Sequence, residues 1–427
     1  MQRGARIAAA IELLAEIEAS QDAADRHVDR YFRARRYAGK GDRAAVANLV
    51  WTAIRRRGSI GWLTGAGTAS PRVAILAAAR LTGLAEAAEL ESLCDGQGHS
   101  PAPLDDAERA ALARLEVQAA DPPGWVRHDH AAVLAPLLAR RYGERYDAVM
   151  AAMAGRAPLD LRVNTLKVSR EKALAELEGQ GLMVSPSLLS PVGIRVEGRE
   201  RLGQLAIFAE GRVEIQDEGS QLVALLCAAR PGEAIADFCA GAGGKALGLA
   251  AAMQKKGRLL ALDVEARRLT RMAPRLARAG VDKFVEQGEI SLELLTAEAG
   301  QFDCVLVDAP CSLSGTWRRN PANRWNTDLD RVADLASLQG RILDQAARLV
   351  RPGGRLVYAT CSVFMEEDED VVAGFLDRHP GFAVVDQAAA FEAATGQTVK
   401  AGALGIALDP AQPGTDGFFV SILARNP

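Results

Sequence analysis

"EAIADFCAGAGGKALGLA" (Glu233–Ala250) decides how the chain folds. It opens with a short apolar run closed by an acid, turns through a cluster of small residues and continues in an alanine- and leucine-rich stretch of helical character. A continuous apolar run marks a strand buried on both faces, and both faces are covered in a parallel sheet flanked by helices. Three later runs have the same form: "RLLALD" (Arg258–Asp263), "DCVLVD" (Asp303–Asp308) and "RLVYAT" (Arg355–Thr360). Strands alternating with helices predict a Rossmann-like α/β domain over residues 215–427, a doubly wound and mostly parallel sheet. The tail "DGFFVSIL" (Asp416–Leu423) reads as a last strand, paired near the sheet edge with "FAVVD" (Phe382–Asp386).

Upstream the texture changes twice. "LDLRVNTLKV" (Leu159–Val168) and "GIRVEG" (Gly193–Gly198) read as strands around a helix, "EKALAELEGQG" (Glu171–Gly181), that ends at glycine; residues 151–214 form a small α/β module. Residues 1–150 read as an all-α domain. Ile7, Ile11 and Leu14 share one helix face, and Asp42 suits the N-cap of a helix carrying Val46, Val50 and Ile54 on one stripe. Loops are expected at Gly96–Pro103 and Pro122–Gly124.

With 427 residues, 49% of them hydrophobic, the chain can build two or three domains with sizeable cores. Its six cysteines are scattered, none in a C-x-x-C, and five histidines are too few for a zinc cluster, so no metal is expected. The basic start "MQRGARIAAA" is followed by Glu12 and Glu16 at helical spacing, which argues against a signal peptide, and no apolar stretch approaches membrane length. A cytoplasmic monomer with reduced thiols is the simplest expectation.

The glycine loop narrows the ligand. In doubly wound sheets ligands bind beyond the carboxyl ends of the strands. Gly241, Gly243 and Gly244 allow close approach of backbone to ligand, and Asp263 ends the next strand 22 positions after Gly241, where a carboxylate can take the hydroxyls of a ribose. A nucleoside triphosphate loop is excluded by Cys239 in place of its first glycine and Ala246 after Lys245; a dinucleotide fingerprint lacks its third glycine, again at Ala246. An adenosyl ligand without a pyrophosphate fits, S-adenosylmethionine being the common one. The glycines could also serve only a tight strand-to-helix turn.

Two cysteines stand just past strand ends: Cys311 in "DAPCS" (Asp308–Ser312) and Cys361 in "YATCSV" (Tyr358–Val363), 50 positions apart. Buried packing explains Cys227 and Cys304 but accounts poorly for two Cys-Ser pairs in strand-end loops. Methylation at a pyrimidine carbon needs such thiols. C5 of cytosine is a poor nucleophile until a thiolate adds to C6, and a carboxylate placed like Asp308 must bind or protonate N3. Lys245 could supply positive charge nearby. Amine methylation favours an aromatic after Asn/Asp-Pro-Pro, which "DAPC" lacks.

The ordered motifs "LRVNTLK" (Leu161–Lys167), "QDEGSQL" (Gln216–Leu222), "CAGAGGK" (Cys239–Lys245), "ALDVEARRL" (Ala261–Leu269), "DAPCS" with "RRNP" (Arg318–Pro321), "YATCSV" and "GTDGFFV" (Gly414–Val420) resemble the RsmB/Sun group of bacterial RNA (cytosine-5-)-methyltransferases. The resemblance spans roughly Leu159–Leu423, and the helical N-terminal region is similar to the NusB-like RNA-binding domain of the same group. It implies Cys361 as nucleophile, Cys311 as the thiol that assists release, and Asp308 between cofactor and base, with Lys245 beside them. DNA cytosine methyltransferases use the Pro-Cys thiol instead, so spacing alone leaves the two roles open. It further implies cofactor contacts from Cys239, Ala240, Gly241, Ala242, Gly243, Gly244, Lys245, Asp263, Arg268 and Asp308, and from Glu289, which stands where the family usually has aspartate. Leu313 replaces a usual glycine, and Gly219 a usual alanine.

The implied partner is RNA, with 16S ribosomal RNA the first choice. A transfer RNA methyltransferase of the same chemistry and a catalytically silent ribosome-assembly factor are the alternatives. For RNA contact two segments stand out. Between Asp25 and Ile60 ten Lys/Arg, including Arg35, Arg36, Arg55 and Arg56, face three acids, a local balance of +7 in a chain of net charge −3. "WRRNPANRW" (Trp317–Trp325) interleaves Arg318, Arg319 and Arg324 with two tryptophans. A solvated helix face and core tryptophans are the plainer readings of each. The acidic run Glu366–Asp370 reads as a helix N-terminus favoured by the dipole, with no catalytic role.

Overall fold

The computed structural model describes residues 1–20, 24–65, 67, 69–115, 121–198, 202–412 and 414–427. The chain forms two compact units. One comprises Met1–Ala139, Glu144–Ala154 and Asn320–Asp328; the other comprises Arg140–Gly143, Gly155–Arg319 and Leu329–Pro427.

The first unit is helical, with helices over Arg3–Glu18, Ala24–Ala34, Lys40–Arg55, Arg57–Thr64, Pro71–Leu81, Ala87–Leu93 and Asp106–Arg114 leading into shorter ones. Its core takes the expected stripes: Ile7, Leu14, Val46 and Val50 are buried, each worth about 1.5–3 kcal/mol. The helix Pro71–Leu81 starts in the preferred way, with proline at its first turn and Ser70 accepting from the Val73 N–H. Its run Ala74–Ala79 is buried throughout, because alanine lets neighbouring helices close around it. Asp42 is not the N-cap. Gly39 holds that position, and Asp42, three residues on, reaches back to accept the Gly39 N–H and pairs with Arg6 at 2.8 Å.

The second unit holds two sheets. The smaller is antiparallel, built from β1 (Leu159–Val163), β2 (Val184–Pro186), β3 (Gly193–Val196) and β4 (Val213–Ile215) in the order β2-β3-β1-β4. The larger comprises β5 (Ala234–Asp237), β6 (Arg258–Asp263), β7 (Val285–Glu289), β8 (Phe302–Asp308), β9 (Val350–Thr360), β10 (Phe382–Val384), β11 (Ile406–Leu408) and β12 (Phe418–Arg425). Its order is β10-β12-β9-β8-β5-β6-β7, with β11 on β12. β5 to β9 pair in parallel, and β12 runs antiparallel to both β9 and β10.

The apolar runs are continuous because alternate residues feed two different cores. Leu259, Ala261, Cys304 and Leu306 pack on one face, while Leu260, Leu262, Val305 and Val307 pack on the other. From β5 the chain winds outward to β6 and β7, and from β8 it winds the opposite way to β9. The crevice at that reversal, beyond the ends of β5 and β8, is where such sheets bind ligands.

Candidate active site

The loop after β5 leads into the helix Gly244–Ala252 through two left-handed residues, Gly241 (φ 55°) and Gly243 (φ 81°). Gly243 is obligatory: besides its φ, a Cβ there would lie 2.4 Å from the Met272 side chain. A Cβ on Gly241 would meet nothing closer than the Cys239 carbonyl at 4.0 Å, so the loop's outer edge is open. Asp263, at the end of β6, takes the Gly241 N–H on one oxygen and the Glu265 N–H on the other, both at 2.9 Å. Arg268 stands 3.7 Å away. Glu289 ends β7 in register with Asp263 and is exposed. Around the same loop Ala240 is buried, Ala242 is exposed, and burial pushes the Cys239 thiol well up, so it keeps its proton.

A buried arginine that the sequence did not single out supports this loop. Arg162 of β1 is buried and donates to the Gly244 carbonyl at 2.5 Å and to Gln216. Burial pulls it down to about 10.

Across the crevice, Lys245 Nζ lies 2.5 Å from Asp308 Oδ2 at the end of β8. Burial favours neutral Lys245, but the Asp308 carboxylate outweighs it and the ammonium is held above its usual value. Asp237 ends β5 beneath them, fully buried, with neither oxygen hydrogen-bonded. Burial, then repulsion from Asp308 and Asp263, pushes it up to about 7; Lys245 opposes this, as does the Ala246 N–H, which does not reach hydrogen-bonding geometry.

A carboxyl raised in this way stabilises the fold only while protonated, so stability falls as pH rises from the unfolded value near 3.8 to the folded one near 7. Asp237→Asn is therefore expected to flatten the decline in melting temperature between about pH 4 and about pH 7. Equal slopes in variant and parent would remove the assignment.

The two thiols meet at the mouth of the crevice. Cys311 Sγ and Cys361 Sγ are 3.3 Å apart. Cys311 is buried and Cys361 partly exposed. The hydrogen bond with Cys361, reinforced by burial, holds the Cys311 thiol well above its ordinary value. Close backbone packing makes this approach possible. A Cβ on Gly315 would lie 2.0 Å from the Gly417 carbonyl, so only glycines let the "TDG" turn pass the Cys311 loop.

The arginines of "WRRNPANRW", expected to contact phosphate, are paired within the fold. Arg318 is buried on Asp416 at 3.0 Å, and Arg319 spans Asp416 and Asp217. Arg324 is buried in the helical unit, donating to the Met153 carbonyl, and burial pulls it down to about 10. Trp317 is a core residue, and Trp325 donates to the Ile54 carbonyl at 2.8 Å within the helical unit. Of the basic N-terminal segment, Arg35 pairs with Glu12 and stacks on Tyr31, and Arg56 reaches Ser59. Arg36 and Arg55 are exposed.

Residues 224–424 match the family described as 16S rRNA methyltransferase RsmB/F, and residues 130–201 match that family's ferredoxin-like domain. The chain belongs to the RsmB/F methyltransferase family. That is the group its motifs resembled. Ribosomal RNA small subunit methyltransferase B of Salmonella typhi is 37% identical over 263 residues, covering 61% of this chain and 59% of that protein. The chain thus spans about 59% of the length of the curated relatives it matches. The crystal structure of PH0851 superposes with a TM-score of 0.75 at 25% identity, covering 98% of both chains. A methyltransferase homolog protein from Pyrococcus horikoshii does so with a TM-score of 0.59 at 26% identity, covering 71% of this chain and 97% of that one. Both share the Rossmann-like sheet described above. Among the described residues of this RsmB/F chain, no helix is long and apolar enough to cross a membrane.

Proposed function

We propose that this RsmB/F chain methylates C5 of a cytosine in RNA, 16S ribosomal RNA first, through a transient bond from Cys361 Sγ to C6 of the ring. The observation that carries the reading is the meeting of Cys361 with Cys311 at 3.3 Å beside the Lys245–Asp308 pair.

The open edge at Gly241 and the carboxylate of Asp263 one strand away suit S-adenosylmethionine. Cys239 to Lys245 would line it, Asp263 and Arg268 would sit at its ribose side, and Glu289 would face its base. When bound it supplies an electrophilic methyl group. The chain's own residues do the rest. Cys361, as thiolate, gives an electron pair to C6, and the ring takes a proton at N3 from the Asp308 side, leaving C5 nucleophilic. After C5 is methylated, its proton departs to solvent, N3 returns its proton, and the C6–S bond breaks with the electron pair going back to sulfur. Cys311, which keeps its proton, can donate a hydrogen bond to the departing sulfur.

The target base must leave its stack, at a cost of a few kcal/mol. With Arg318 and Arg324 buried, the helical unit is the better source of RNA contact. We read it as a NusB-like RNA-binding domain whose Arg36 and Arg55 are exposed and whose Tyr37, 74% exposed, offers a face for stacking.

Radiolabelled methyl transfer to undermethylated small-subunit ribosomal RNA, followed by bisulfite sequencing, tests the reaction. Label at one cytosine C5 is expected. Label only in transfer RNA would move the substrate, and no label in either would leave an assembly factor.

A further inference from the structure

The acidic run Glu366–Asp370 is not simply the start of a helix. That helix begins at Glu369, and Glu367 lies before it in a short 3-10 turn, 0% exposed. Both of its carboxylate oxygens are filled. Oε1 accepts the Ser312 N–H at 2.8 Å and Gln339 Nε2 at 3.0 Å. Oε2 accepts the Ser312 hydroxyl at 2.5 Å and the Ser362 hydroxyl at 2.6 Å. All four donors are neutral.

These partners are the neighbours of the two thiols. Ser312 follows Cys311 and Ser362 follows Cys361. Gln339 also donates to the carbonyl of Pro310, the residue before Cys311, at 2.9 Å. Ser314 completes the link, lying 3.0 Å from each serine hydroxyl and accepting the Val363 N–H at 2.9 Å. The Gly315 N–H donates to the Cys361 carbonyl at 2.9 Å. One carboxylate thus binds both Cys-Ser pairs, which gives the repeated dipeptide a physical reason.

We propose that Glu367 is a positioning residue that sets the approach of the Cys311 and Cys361 sulfurs, and that Ser312 and Ser362 are the arms through which it does so. The proposal rests on the reading that these thiols act on the substrate ring. Replacing Glu367 by an apolar residue would leave Ser312, Ser362 and Gln339 buried without their acceptor and free to turn elsewhere. The cysteine beside each serine then loses its fixed place. A misplacement of about 1 Å in a reacting group costs about 10²-fold in rate.

The test uses the full chain and two readouts. The first is methyl-transfer kinetics. For Glu367→Ala, kcat is expected to fall about a hundredfold, with KM for RNA within about twofold of the parent. For Glu367→Gln, whose amide keeps the shape and whose serine partners can rotate to accept, most of kcat should return. The second is closure of the Cys311–Cys361 disulfide by diamide, in which each thiol gives up one proton and one electron and diamide is reduced to its hydrazine. Closure is expected to slow about tenfold in Glu367→Ala and to recover in Glu367→Gln.

A Glu367→Ala chain that closes at the parental rate with kcat within about twofold overturns the proposal, as does a rise in KM at unchanged kcat. If Glu367→Ala does not fold, the Ser312→Ala/Ser362→Ala double variant takes its place in both measurements, and the same losses are expected of it. Parental closure and parental kcat in that double variant would equally overturn the proposal. Should the parent chain transfer no methyl group, the reading of the reaction fails, and the diamide rates still decide whether Glu367 positions the two sulfurs.

Discussion

With alanine in place of Cys361, methyl transfer to RNA is expected to fall at least about 10⁴-fold while cofactor affinity stays within about twofold. No other sulfur in the crevice can take over. Cys311 is 3.3 Å away but is buried and keeps its proton. The Cys239 thiol is pushed up by burial and lies in the loop after β5. Without addition at C6 the cytosine ring remains aromatic, and C5 cannot attack at a useful rate. The fold should tolerate the change, because Cys361 is partly exposed and alanine removes one atom. Labelled-methyl incorporation and calorimetric titration with the cofactor are the measurements. Turnover within tenfold of the parent would end the assignment of Cys361 as nucleophile.

Cys311→Ala is expected to behave in the opposite sense. Addition and methylation proceed, but the sulfur leaves without a hydrogen-bond donor beside it, and the covalent protein–RNA adduct accumulates. Turnover should drop about 10²–10³-fold, the range seen when a single preorganised donor is removed from a developing anion. A denaturing gel should show a slower band that requires RNA and cofactor and disappears in the Cys311→Ala/Cys361→Ala double variant. A band that survives in the double variant, or none in the single one, would remove Cys311 from the release step. The opposite outcome, an adduct formed by Cys361→Ala instead, would exchange the two roles, which spacing alone had left open.

The larger sheet was legible because buried parallel strands write themselves as apolar runs: β6 has the bounds of "RLLALD", and β5, β8, β9 and β12 fall where their runs do. β7 was not legible. Its sequence, "VEQGE", lies at the sheet edge with mostly exposed side chains, so no apolar pattern is required of it. Cys311, Cys361 and Asp308 were readable from strand ends. Glu367 was not, because an acid before a helix looks the same whether it faces water or four buried donors. The only hint was the serine that follows each of the two cysteines. The internal pairing of "WRRNPANRW" was hidden for a related reason. Arginine and tryptophan together suit a nucleic acid and an internal ion-pair network equally well, and the deciding carboxylates, Asp217 and Asp416, lie far away in sequence.

The position of β12 bears on how the chain folds as it is synthesised. Among the described residues β12 is the last strand in sequence yet lies between β9 and β10, with Phe419 paired to Thr360. During translation, at about 5–20 residues per second, the strand leading to Cys361 therefore waits some 3–12 s with one edge bare while roughly sixty further residues are added. The nascent polypeptide thus passes through an interval in which that bare edge can pair with the wrong neighbour.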